Sequence, residues 1–466
     1  MALSRHATGH ANNATFYRGN RRSPWWAVAF GMLGASLSGV TFVSVPGMVA
    51  TQGMTYMQMC LGFVPGYLMV AFVLLPVYYR LDLTSIYTYL GVRLGSDACR
   101  AGAAVFLVSK FAGASVRLFL VCVILQGMAG AGFRLPMAAT AAMLLLMVWL
   151  YTRRGGIGAI VWTDCLQTLV MLLSVVLIVA AVLQREGWSV GDAVRQVAES
   201  PMSRLWQTSD PSARNYLWKQ FVSGAFIVVV MTGLDQDMMQ KNLTCRTLRQ
   251  SQTNMVVNGL LYLPVNLLFL SAGVLLYTMA AREGIVLPAK GDAMLPALVG
   301  SGELGDMVPY VFALGVAAAA FSSADSALTA LTTSFCVDLV RRPADEALRR
   351  RVHAAMCVAM WLFILLFDRL SGQSVIDAVY TLASYTYGPL LGLFAYAALS
   401  KGRVPRAWLL YIICIFVPAA CYALTRVSSS LWGYSFGYEL LLVNACLVAV
   451  CLWLTGWLVP AGTAAG

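Results

Sequence analysis

Charge is scarce in this chain. Only 11% of its 466 residues are Asp, Glu, Lys or Arg, where a soluble domain carries roughly 25%. Histidine is nearly absent: His6, His10 and His353 are the only three. The eleven cysteines form no CxxC pair and no Cys/His cluster, and Cys60, Cys122, Cys336, Cys414, Cys446 and Cys451 sit inside apolar runs. These gaps exclude a zinc, haem or iron–sulfur centre and argue against a disulfide framework, because thiols in such runs behave as small apolar groups. A membrane enzyme would need a His/Asp or Ser/Lys constellation at one depth. None is present: His6 and His10 lie in the N-terminal tail and His353 at the edge of an apolar segment. What is abundant is hydrophobic side chain, 59% of the total, so the chain reads as an integral membrane protein.

The net charge of +12 does not point to nucleic acid. Its Lys and Arg lie in short loops between apolar segments, as the positive-inside rule expects. A spanning helix needs ~20 apolar residues, and twelve candidates follow: about 24–49, 54–79, 99–128, 135–151, 157–184, 217–238, 254–281, 307–339, 352–368, 374–399, 407–425 and 438–459. With residues 1–23 placed in the cytoplasm, about twice as many basic residues fall on the inner side as on the outer. Both termini are therefore expected to be cytoplasmic, in a plasma (bacterial inner) membrane. The first apolar segment is too long for a signal-peptide core, and no cleaved signal is expected. Chain organisation reads as a tail (1–23), a first set of five spans (24–185), an external loop (186–216), a second set of five (217–400) and two further spans (401–466). With the sequence ending at Gly466, six residues past Pro460, no soluble output domain of a sensor is expected.

The run Phe321-Ser322-Ser323-Ala324-Asp325-Ser326 lies inside an apolar stretch. A carboxylate at a helix centre costs ~3 kcal/mol on insertion scales, so such a cluster marks the passage of something polar. Its hard oxygens suit a small hard cation. Two spans also look interrupted. The first holds Gly31, Gly34, Ser36, Ser38, Gly39 and Pro46-Gly47, and the sixth holds Ser223-Gly224 and Gly233. Gly/Pro-interrupted spans at corresponding positions of two halves point to a transporter binding site.

The segment Gly34-Ala35-Ser36-Leu37-Ser38-Gly39-Val40-Thr41-Phe42 with Pro46-Gly47 resembles the first core helix of the sodium:solute symporter family. Gly155-Gly156 followed by Val161-Trp162-Thr163-Asp164 and Gln167 resembles its fifth core helix. Ser322-Ser323-Ala324-Asp325-Ser326 with Asp338 resembles its eighth, and Tyr387-Gly388-Pro389-Leu390-Leu391-Gly392 its tenth. The resemblance covers nearly the whole chain, in order, and looks nearest to the sodium/sialic acid and related organic-solute carriers. Members commonly carry one more helix ahead of the first broken one. Residues 1–23 look like the loop after it, so this chain either lacks that helix or starts downstream of it.

The resemblance implies an all-α LeuT-type fold, with 24–185 and 217–400 as inverted repeats. It implies a first sodium site from the carbonyls of Gly34, Leu37 and Ala319, closed by the hydroxyls of Ser322 and Ser323. A second cation site, known in some members, would use Asp164 with Ser322, Asp325 and Ser326. Relatives usually carry serine where this chain has Asp325, which leaves sodium or a proton open there. The arginine that sialic acid carriers use for the substrate carboxylate corresponds to Arg117. Substrate contact is expected from Arg117, Ser36, Ser38 and Gly224, and sodium is the only cofactor implied.

The residues themselves support parts of this. Ala319 precedes Ser322 and Ser323 by three and four residues, so all three share a helical face. An unpaired guanidinium in a membrane needs an anion, and its planar fork suits a carboxylate. The alternative is an ion pair of Arg117 or Lys110 with Asp325 or Asp377. Lys110 reads as a snorkelling side chain, and Asp235 and Asp237 beside Lys241 as a cytoplasmic gate or, the plainer reading, a solvated helix end. The Asn-x-Thr patterns at Asn13 and Asn242 fall on the cytoplasmic side and are discounted as glycosylation sites. A monoanion entering an inside-negative cell opposes ~2.3 kcal/mol per 100 mV, so an acidic solute favours two sodium ions. The function expected is sodium-coupled symport of a small, carboxylate-bearing solute by alternating access. A neutral sugar, polyol or amino acid as cargo, or proton coupling, are the alternatives. The expected partners are the solute, sodium and the lipid bilayer, with no nucleic acid and no required oligomer.

Overall fold

A computed structural model of the chain describes residues 13–458 except Ser38, 129–134, 289, 371–374, 401–405, 432 and 435. In chain order its helices are α1 (Asn13–Arg18), α2 (Trp25–Ser36), α3 (Gly39–Gln52), α4 (Tyr56–Met69), α5 (Leu75–Arg80), α6 (Thr88–Leu94) and α7 (Ser96–Met128). There follow α8 (Met137–Glu186), α9 (Val190–Glu199), α10 (Leu217–Val228), α11 (Gln236–Asn242) and α12 (Leu248–Glu283). The last are α13 (Gly291–Gly300), α14 (Val308–Ser334), α15 (Glu346–Leu370), α16 (Val375–Leu399), α17 (Ala407–Leu431) and α18 (Leu440–Leu458). Only helices can run through lipid without orphaned backbone groups unless a sheet closes on itself. Among the described residues the sole β contact is one isolated bridge, Ser23 to Cys245.

Among the described residues seven helices are long and apolar enough to cross a bilayer, and two bent pairs can each make one more span. The bent pairs are α2/α3, kinked by 56°, and α10/α11, kinked by 70°. They coincide with the two segments whose Gly, Ser and Pro content marked them as interrupted. The segments expected at 135–151 and 157–184 run on as α8, divided at Gly156. There φ is +49° and ψ −144°, a region open only to glycine, and a Cβ would collide with Phe16.

Burial sorts the helices into centre and rim. The apolar window of α14 is 72% buried, while those of α15 and α17 are 22% and 28% buried. Exposed Phe72, Val73, Ile415, Phe416 and Trp453 form apolar surface of the kind lipid, not water, covers. The Ser322–Ser326 cluster thus occupies the most enclosed of these candidate spans. α14 packs along α8, and α2 packs against both α8 and α14.

Candidate cation and solute site

α2 ends at Ser36. Leu37 leaves helical geometry (φ −84°, ψ 81°), and its N–H bonds back to Leu33 O. A helix end leaves its last carbonyls without intrahelical donors, and Gly34 and Leu37 flank this one. The break is clasped on two sides. A Cβ at Gly39 would lie 3.9 Å from Val316 O and 4.0 Å from the Ala319 Cβ of α14. On the α8 side, a Cβ at Gly31 would lie 3.0 Å from Asp164 Cβ, and one at Gly34 would overlap the Thr168 hydroxyl. Glycine at position 34 is thus required by close approach.

The turn of α14 facing this break carries Ala319, Ser322 and Ser323, all buried. The Ser323 hydroxyl is enclosed with no hydrogen-bond partner among the described residues. Ser322 donates to Asp164 Oδ1 at 2.8 Å. A hydroxyl that donates its proton still has lone pairs to offer. Orphaned carbonyls with two seryl oxygens are a donor set that fits a sodium ion.

Deeper in the bundle a chain of buried charges runs from α16 to α8. Tyr387 donates to Asp235 Oδ2 at 2.8 Å. The Lys110 ammonium lies 3.1 Å from Asp235 Oδ2 and 2.7 Å from Asp237 Oδ2. Lys241 lies 3.8 Å from Asp237 Oδ1 and 2.8 Å from Asp164 Oδ2. Asp325, beside Asp164, accepts from Tyr151 at 2.6 Å and Ser326 at 3.0 Å. Lys241 and Asp164 are 1% and 0% exposed, so neither charge is solvated from outside.

Three expectations are corrected here. Lys110 does not snorkel; it is buried between two carboxylates of the second break. Asp235, Asp237 and Lys241 are not a solvated helix end, because the 70° bend carries α11 into the bundle. Gly224 does not line the solute cavity but is pressed on the Met59 backbone, where a Cβ would collide with the carbonyl. Sequence spacing held a signal for the second point: Asp237 and Lys241 sit one turn apart just after Gly233. Tyr151 carried none, and Tyr387 was marked only as the start of a motif, not as a partner of Asp235.

A cavity opens between the two breaks. It encloses about 1220 Å³ of empty space, part of it open to solvent. Ser36, Ser323 and Arg117 line it, as do Lys110, Asp235 and Asp237. Ser36 also bonds its own helix at Met32 O, 2.9 Å away; Ser38 lies outside the described residues. Tyr67, Tyr262, Tyr387 and Phe63 supply aromatic walls. Arg117 is half-buried and has no hydrogen bond or ion pair among the described residues. The pairing of Lys110 or Arg117 with Asp325 is not formed, and the side chain of Asp377 lies outside the described residues.

The sequence pattern of the sodium:solute symporter family matches residues 16–401. The human sodium/iodide cotransporter is 25% identical over 83% of this chain and 61% of its own length. A rabbit (Oryctolagus cuniculus) sodium-dependent multivitamin transporter is 27% identical over 80% of this chain and 60% of its own. This chain thus spans about three fifths of the length of those two relatives. A sodium/sialic acid symporter from Proteus mirabilis is 22% identical over 81% of this chain and 78% of its own. Among solved structures, a substrate-bound, outward-open Na+-coupled sialic acid symporter superposes with a TM-score of 0.81 at 18% identity, covering 99% of this chain and 96% of that one. The nucleobase-cation-symport-1 transporter Mhp1 superposes at 0.56 and 15% identity, over 98% and 96%. These likenesses give the fold as LeuT-like, and the relatives are transporters rather than enzymes. The matched span covers most of the sequence, and the chain belongs to the sodium:solute symporter family.

Proposed function

We propose that this protein is a sodium-driven symporter for a small organic anion. One observation carries the reading: the unpaired Arg117 guanidinium faces the same cavity as the partnerless Ser323 hydroxyl. A half-buried guanidinium without an anion is incomplete, and a carboxylate completes it through two parallel hydrogen bonds. Sodium coordinated by Gly34, Leu37, Ala319, Ser322 and Ser323 would sit at the wall of that cavity. Ion binding would then favour the solute-binding state through differential affinity for the two conformations. Relatives named for iodide, sialic acid and monocarboxylates support an anionic cargo. The aromatic walls favour a solute with an apolar face beside its carboxylate.

The same reading takes the chain as twelve spans in the plasma membrane, with both ends cytoplasmic. Segments 24–185 and 217–400 would be inverted five-helix repeats, followed by two peripheral spans. The two bent spans, at matching places in those segments, support it. Uptake into proteoliposomes by Arg117→Ala and Arg117→Lys tests the cargo class. Carboxylate uptake should fall at least ~10-fold in both, since lysine cannot form the fork. Unchanged uptake, or transport of a neutral sugar, polyol or amino acid, would refute it. Replacing sodium by choline at fixed pH tests the coupling ion; persistent uptake would mean protons drive the cycle.

A further inference from the structure

The oxygens expected at the two cation sites are in opposite conditions. At the first, the Ser323 hydroxyl has no partner among the described residues, and α2 breaks at Leu37 beside it. At the second, every carboxylate oxygen is engaged. Asp164 Oδ1 takes the Ser322 hydroxyl and Oδ2 faces the Lys241 ammonium. Asp325 Oδ2 takes Tyr151 and Oδ1 takes Ser326. The Lys241–Asp164 contact is an ion pair at 2.8 Å.

We infer that Lys241 is a tethered counter-cation standing where a second sodium ion would bind, so that this chain takes up one sodium ion per cycle. The donor set of Asp164, Ser322, Asp325 and Ser326 does not fit another cation while the ammonium is among it. Like charges at contact distance in a water-poor interior repel strongly, and the protein holds Lys241 there with Asp237 on its other side. Asp164 then acts as a positioning residue. Neutralised by Lys241, it holds the Ser322 proton and turns that oxygen's lone pairs outward, toward the first site. One sodium with a monoanion moves no net charge, which replaces the expectation of two sodium ions for an acidic solute. The inference rests on sodium coupling but not on the identity of the solute.

The test counts bound sodium directly. Purified wild-type protein is equilibrated with radioactive sodium, and ions per chain are measured at saturation alongside Lys241→Gln. The expected result is one ion for the wild type and a second for the variant, with a steeper sodium dependence. Two ions bound by the wild type would overturn the inference while leaving sodium coupling intact. No saturable sodium at all would overturn the coupling itself and this inference with it. A variant that binds no second ion would refute the role of Lys241. Should Lys241→Gln not fold, the wild-type count decides alone.

Discussion

The two broken spans differ in what closes them. α2 stops at Ser36 with no charged residue in its last turn, and the break after it faces α14. α10 loosens through a π-turn at Val229–Gly233, where Leu234 N–H bonds Val229 O five residues back. The chain then restarts at α11 under a cap from Asp235, which accepts from Asp237 N at 2.9 Å. Two lysines and two further carboxylates neutralise the region around that restart. A break left uncapped offers its oxygens to a mobile ion. A break closed by the protein's own carboxylates and ammonium groups has no such vacancy, and forms a fixed wall instead.

That contrast can be broken most forcefully at the buried pair. Lys241→Met leaves the Asp164 carboxylate enclosed and uncompensated. Removing one partner of a buried ion pair costs about 3–5 kcal/mol. Adding Asp164→Asn should restore most of it, read as unfolding midpoints in detergent for the single and double variants. Additive losses would mean that the two groups do not interact.

The uncapped side is probed next. Ser322→Ala with Ser323→Ala should abolish sodium-dependent accumulation, with at least a ~10-fold rise in half-saturating sodium where activity survives, because each removed oxygen is a proposed ion ligand. Sodium dependence unaffected by the pair would refute the first site. Gly34→Ala drives a methyl into the Thr168 hydroxyl and should cost about 1–3 kcal/mol, as overpacking does. Thr168→Ser removes the neighbouring methyl but keeps that hydroxyl, and should rescue little.

Asp235→Asn and Asp235→Ala separate cap from charge on the closed side. Asparagine keeps the cap, which is worth about 0.5–2 kcal/mol, so the alanine variant should be less stable by about that difference. Equal midpoints would show that the cap contributes nothing.

The smallest effect lies outside the membrane. Burial pushes the Asp82 carboxyl up, but the Arg18 and Arg21 guanidiniums outweigh it and hold it below the usual carboxylate range. A carboxylate depressed on folding adds stability that is fully present above its unfolded value of about 3.9, and loses it as pH falls through the depressed value. Asp82→Asn should remove that slight acid sensitivity and change little at neutral pH.

Much of this was legible in the residues. Gly34, Ser36 and Gly39 marked the first break, because glycine and serine lower helical propensity where they cluster; Pro46 marked no break and stands inside α3. Ser322, Ser323 and Asp325 marked the proposed ion site, because a carboxylate with hydroxyls in an apolar run is costly unless it meets something polar. Arg117 stood out for the same reason. Lys110, Asp235, Asp237 and Lys241 were legible as charges but not as a buried chain. Hydropathy placed them at span ends, and the bend that carries α11 inward is not encoded in their order.

Composition and local pattern alone determined that this chain enters a membrane, where its helices break and which turn offers hard oxygens. Those are properties of neighbouring residues and of their transfer from water. Tertiary structure alone decided which charges neutralise one another. Lys110 meets Asp235 across 125 positions and Ser322 meets Asp164 across 158. In a medium of low dielectric, a partner's distance settles whether a carboxylate binds an ion from solution or a lysine from its own chain.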